Sequence, residues 1–163
     1  AEAVKLIFNN IDNAFNDRDD ESLNNLLYAS TLAGISITHN FVGYVHALAH
    51  AIGAIYHLPH GYLNSIILPV ILKMSESKIE GKMKVLVEYC GLEKNGSYTD
   101  TIIARLKKVR ELASISNTIE ELKEDDFDEI VLRSYKEGNP TYPVPYIFTK
   151  KDFKKALSIL KGE

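Results

Sequence analysis

The chain has 163 residues, 45% hydrophobic and 25% charged, an ordinary globular composition for one domain with a full core. Its net charge of -3 gives no electrostatic reason to expect a nucleic-acid partner, and no apolar run reaches the ~18 residues needed to span a bilayer, so no membrane is expected. The lone cysteine, Cys90, excludes an internal disulfide framework and fits a reducing, cytoplasmic compartment, with burial rather than reactivity as its expected role.

The N-terminus, AEAVKLIFNN, has no initiator Met and no signal-peptide layout, and it begins directly in a helical pattern. That points to a piece of something longer or to a processed product. Val4, Leu6, Ile7, Ile11 and Phe15 recur at helical spacing, which predicts a first helix over residues 3–15. Asp20 is placed to cap a second helix, from Glu21 to about Ile37. Its last part, LAGISI from Leu32 to Ile37, is small and mostly apolar and is expected to be buried. A third helix is predicted from about Asn40 to Tyr56.

Pro59 and Gly61 end that helix and open a fourth, from Gly61 to about Met74, apolar on nearly all sides and interrupted by Pro69. Ser75 to Ser77 are expected to close it. Further helices are predicted at Ile79–Tyr89, Thr99–Ala113 and Asp125–Tyr135, with a connector between Ser116 and Leu122. NPTYPVPY, from Asn139 to Tyr146, carries three prolines and is expected to be extended. Thr149 caps a final helix. No strand-length alternation, repeat or low-complexity tract is present, so the fold class is all-α, with about eight helices in a bundle spanning residues 1–163 as one domain.

The chemistry concentrates in FVGYVHALAHAIGAIYHLPHGYLN, Phe41 to Asn64, which holds four of the five histidines. His46 and His50 lie four apart and project from one helical face. Gly43, Ala47, Gly53 and Ala54 share that face as a floor of small side chains, which lets a backbone, a metal or a ligand come close. His60 enters from the next element. Neutral imidazole is the commonest protein ligand for borderline divalent metals, so spacing alone allows three ligands, His46, His50 and His60. Tight helix packing is the competing reading of the same floor. His39 and His57 read as structural. No H-E-x-x-H, phosphate loop or nucleophile elbow is present.

The run HALAHAIGAIYHLPHGYLNSIILP resembles the signature of the iron-containing (group III) alcohol dehydrogenases. His46, His50, Gly53, Pro59, His60, Gly61, Asn64 and Leu68-Pro69 carry the match. Upstream, Ala29-Ser30 and Leu32-Ala33-Gly34 resemble the family's preceding helix, and Asn139-Pro140 falls where the family has a similar pair. Ala51 stands where many members have Pro, and Val70 where many have His, departures that bear on subfamily rather than chemistry.

The resemblance implies the helical metal-binding domain of an alcohol dehydrogenase, with the N-terminal dinucleotide-binding domain absent. It implies that His46 and His60 are ligands to a divalent metal, Fe2+ or else Zn2+. His50 then lies beside the metal as a catalytic residue that positions the substrate or relays its proton. The family's other two ligands, an Asp and a His, are expected before residue 1. It further implies NAD(P) as hydride carrier and a small alcohol or aldehyde as substrate in the full-length enzyme, with the isolated chain inactive. An alternative is a non-enzymatic helical module that keeps the motif for packing or for self-association into a homo-oligomer. A glycerol dehydrogenase or dehydroquinate synthase relative fits the Pro-His-Gly and Leu-Pro context less well.

Overall fold

Helical periodicity governs the chain almost from end to end. The computed structural model describes residues 1–162. Among them are seven α-helices, one 3-10 turn and no strand, as expected of an all-α fold. The chain divides into two compact units.

The first unit takes residues 1–41 and 79–114. It holds α1 (Glu2–Asn16), α2 (Asp20–Asn40), the later part of α4 (His60–Cys90) and α5 (Tyr98–Leu112). The cap of α2 is Asp19 rather than Asp20: its carboxylate accepts the Ser22 N–H at 2.9 Å. Helix α1 packs on both α2 and α5. Asn25 Nδ2 donates to Asn10 Oδ1 across the first pair, and Arg105 donates to Asp12 Oδ2 at 2.9 Å and to the Phe8 carbonyl at 2.6 Å across the second. Glu80 reaches the start of α5. Its carboxylate accepts the Tyr98 N–H at 2.6 Å, the Thr99 N–H at 3.1 Å and the Thr99 hydroxyl at 2.7 Å. A side chain from a neighbouring helix thus satisfies donors that every helix start leaves unpaired.

The segment Leu32 to Ile37 is not buried as expected. Leu32 and Ala33 are half-buried, and the rest is exposed, Ile35 at 55% and Ile37 at 47%. Only Ser22 and Ala29 are buried along all of α2. Its apolar residues are spread around the helix instead of gathered on one stripe, so one packed neighbour covers few of them.

The second unit takes Val42–Lys78 and the chain from Ile115 on. It holds α3 (Tyr44–Tyr56), the first part of α4, a 3-10 turn at Glu124–Asp126, α6 (Phe127–Gly138) and α7 (Lys150–Lys161). Helix α3 begins later than predicted, because Phe41 takes a left-handed φ of 60° and Gly43 an extended one. Ser75 to Ser77 do not end the fourth helix, and the two helices predicted on either side of them are one 31-residue helix. None of these three residues is a helix breaker, and Ser75 is buried. Pro69 lies inside it without ending it. The proline removes one helical hydrogen bond, while Leu63, Ile66, Ile67 and Ile71 are buried around it and hold both sides in place.

One continuous core fills this unit, from Leu48 and Ile52 on α3 through Leu63 and Ile66 on α4 to Ile130 on α6 and Leu157 on α7. Tyr44, Phe148 and Phe153 pack ring on ring, with centroids 4.7 to 5.6 Å apart. Residues 139–149 form turns rather than an extended strand, with a cis Asn139-Pro140 bond. The Tyr142 N–H bonds to the Gly138 carbonyl, and the Tyr44 hydroxyl donates to Asn139 Oδ1 at 2.6 Å while accepting the Phe148 N–H at 3.1 Å. Thr149 caps α7 as predicted, in a reciprocal box with Asp152.

Candidate metal and substrate site

Three imidazoles converge where α3 meets the start of α4. His46 and His50 stand one turn apart on α3, and His60 is the first residue of α4. Their ring centroids lie 5.2 Å apart for His46–His60, 5.1 Å for His50–His60 and 6.0 Å for His46–His50. His39, in the first unit, bonds its own helix at the Ile35 carbonyl, and His57 ends α3 with a left-handed backbone. Both are spent on helix ends.

A metal–nitrogen bond of about 2.1 Å puts two ligating rings on a shared ion with centroids roughly 5 Å apart. Distance alone therefore admits more than one pair. Ring planes separate them. Imidazole lone pairs lie in the ring plane, and His50 and His60 are stacked, with planes only 21° apart, so their lone pairs run side by side. His46 and His60 are tilted by 53°, which lets in-plane nitrogens converge. Burial, then His60 and then His50, push His46 below the ordinary imidazole range, which favours the neutral form a metal needs. Two donors are an incomplete shell. Among the described residues, no three His, Cys, Asp or Glu side chains are grouped to hold an ion.

Asn64 was not anticipated as a partner, although it lies one helical turn beyond His60. Its Nδ2 lies 2.8 Å from His60 Nε2, and its Oδ1 is buried without a hydrogen-bond partner. An ion on His60 Nε2 would have to displace that amide. Glu137 was also missed. Its Oε1 lies 2.7 Å from His50 Nδ1 and accepts the Tyr142 hydroxyl at 2.6 Å. Glu137 sits 87 residues from His50, so no local spacing could have paired them.

The small-residue floor has a packing explanation. Ala47 is fully buried and faces α6, where the Ser134 hydroxyl donates to the Ala47 carbonyl at 3.2 Å. A side-chain carbon on Gly138 would stand 2.7 Å from Tyr44 Cε1. On Gly53 it would touch Leu63 at 3.4 Å, and on Gly43 Val144 at 3.8 Å. So Gly43, Ala47 and Gly53 face protein neighbours. Beside the imidazole cluster, His50, Ala51, Arg133, Lys136 and Glu137 line an open cleft.

A family model described as Fe-containing alcohol dehydrogenase family, C-terminal, matches residues 1–158. The chain belongs to that family.

It is 29% identical over 145 residues to 1,3-propanediol dehydrogenase of Citrobacter freundii, covering 85% of this chain and 38% of that protein. It is likewise 29% identical over 153 residues to alcohol dehydrogenase 4 of Schizosaccharomyces pombe, covering 87% and 35%. Among solved structures, an alcohol dehydrogenase from Oenococcus oeni superposes with a TM-score of 0.85 at 27% identity, over 98% of this chain and 43% of that one. A 1,3-propanediol oxidoreductase shares the fold with a TM-score of 0.87 at 24% identity, over 98% and 43%. The chain thus spans less than half the length of these relatives. Among the described residues, no helix is long and apolar enough to cross a membrane.

Proposed function

We propose that this chain is the metal-binding helical domain of an NAD(P)-dependent alcohol dehydrogenase that interconverts a small alcohol and its aldehyde or ketone. The observation that carries this reading is the His46–His60 pair, tilted at 5.2 Å in a family described as iron-containing. His46 and His60 hold a divalent ion, Fe2+ in preference to Zn2+, together with donors from outside residues 1–162. When bound, that ion supplies Lewis-acid polarisation of the substrate oxygen. His50 stands beside the pair as the residue that contacts substrate and accepts or returns the hydroxyl proton. NAD(P), the hydride carrier, is held by parts of the enzyme beyond this chain. The single cysteine, Cys90, is buried and free, which suits a reducing, cytoplasmic compartment.

Metal content is the test. The chain alone takes up Fe2+ or Zn2+ weakly and reversibly, without dehydrogenase activity, and the double variant His46→Ala/His60→Ala loses that uptake. Equal uptake by wild type and variant would contradict the reading.

A second reading, self-association through a helical face, is favoured by the exposed Leu27, Tyr28 and Ile35 of α2. It expects a particle of twice the 18.3 kDa chain mass in sedimentation, reduced to one by Leu27→Glu/Ile35→Glu.

A further inference from the structure

Resting on the role proposed above for His50, we propose that Glu137 is a positioning residue that fixes His50 as the Nδ1–H tautomer, with Tyr142 holding Glu137 in place. An ionised carboxylate only accepts hydrogen bonds. Glu137 Oε1 lies 2.7 Å from His50 Nδ1, so that nitrogen carries the hydrogen. In a neutral imidazole the other nitrogen, Nε2, is then a bare acceptor. Nε2 lies on the side of the ring away from Glu137. His50 is thereby set to accept the hydrogen of a substrate hydroxyl at Nε2 and cannot donate from it. The fixed tautomer follows the logic of a carboxylate behind a catalytic imidazole.

Tyr142 completes the arrangement. Its hydroxyl donates to the same Oε1 at 2.6 Å. Burial, then the bond to Glu137 and the carboxylate charge, push Tyr142 up to about 12, so it remains a donor across the working range. The loop carrying Tyr142 is pinned in turn, since Asn139 bonds both the Tyr44 hydroxyl and the Phe148 carbonyl. Glu137 and Tyr142 close a five-residue step around the end of α6, and both are half-buried. Arg133, one turn back, pairs with Glu129.

The test reads tautomers in metal-free protein labelled with 15N-histidine, at alkaline pH, by long-range proton–nitrogen correlation. His50 signals are assigned by their loss in His50→Gln. In wild type His50 shows the Nδ1–H pattern. Glu137→Ala shifts it toward Nε2–H, Glu137→Gln retains Nδ1–H because the amide oxygen still accepts, and Tyr142→Phe gives a smaller shift. An Nε2–H pattern in wild type, or no change in Glu137→Ala, overturns the proposal.

In the full-length holoenzyme, Glu137→Ala lowers kcat by about 10- to 100-fold, the range over which partners of functional imidazoles usually act, with metal content at the wild-type level. An unchanged kcat would overturn the positioning role. The metal reading fails separately, through unchanged metal uptake in the His46/His60 variant, since the tautomer is read without metal.

Discussion

The two units spend their apolar residues differently. The second seals Leu48, Ile52, Leu63, Ile66, Ile130, Phe148, Phe153 and Leu157 completely from solvent. The first buries Phe8, Ala29, Val87 and Ile102, yet leaves Phe15 at 51%, Leu27 at 68%, Tyr28 at 58%, Ile35 at 55% and Phe41 at 65% exposed, whereas among the large apolar side chains described in the second only Ile147, at 71%, is more than half exposed. The imidazole cluster, Glu137 and Tyr142 all belong to the unit with the sealed core. The difference teaches where rigidity is placed. A functional side chain must be held to within a fraction of an ångström, and close-packed neighbours do that where a half-covered helix cannot.

The comparison breaks or holds first on two leucines. Leu63 is fully buried on α4, three residues after His60, whereas Leu27 is exposed on α2. Leu63→Ala should cost about 2–5 kcal/mol, the transfer energy plus the cavity it leaves. Leu27→Ala should fall within about 0.5 kcal/mol of wild type. Denaturant unfolding of both variants, at equal slopes, measures the contrast. Comparable losses would mean that α2 is covered in solution and that the two units are not as unlike as their burial suggests.

Gly138 sharpens the contrast within the second unit. It terminates α6 against the Tyr44 ring, where a methyl group would meet ring carbons at 2.7 and 2.8 Å. Tyr44 cannot retreat, since its ring is packed on Phe148 and Phe153 and its hydroxyl is bonded twice. Gly138→Ala should therefore cost about 1–3 kcal/mol through overpacking. Gly34, with open space around it on α2, should tolerate the same change and gain slightly from helix propensity. Thermal melts of the two alanine variants should move in opposite directions.

Most of this organisation is legible in the sequence where it is local. Helical periodicity, the Thr149 cap and the helix break at Pro59 each depend on residues a few positions apart. The His46–His60 pair is singled out by resemblance, and His50 by its spacing from His46. What escaped was tertiary. Ser75–Ser77 looked like a stop, yet Ser75 is buried in a continuing helix. Leu32–Ile37 looked like core because apolarity says a side chain can be buried, not that a neighbour arrives to bury it. Glu137 carries no pattern at all, because its meaning comes only from the loop that returns Tyr142 to α6 and from α3 packing on α6.

The smallest expected effect separates the units by pH. Two helix starts in the first unit rest on carboxylates. Asp19 is lowered chiefly by the Ser22 N–H that it caps, and Glu80 chiefly by the Thr99 hydroxyl, then by the Tyr98 and Thr99 N–H groups. A carboxyl lowered on folding contributes stability in full above its unfolded value, 4.5 for Glu80, and loses it as pH falls through the folded value. Tyr142 in the second unit is the mirror case. Raised from 10.0 to about 12, it contributes in full below 10.0 and loses that contribution as pH rises toward 12. Exposed Tyr89 in the first unit is raised as well, by its bond to Glu2, so the alkaline arm is shared while the acid arm belongs to the first unit. Glu80→Gln should melt below wild type at neutral pH, and the gap should close as pH drops through the folded value of Glu80. Amide exchange at the start of α5 should accelerate over the same window in wild type. A melting gap that persists in acid would mean that the amide group of Gln itself disturbs the start of α5, and the charge of the Glu80 carboxylate would then have no part in setting the stability of α5.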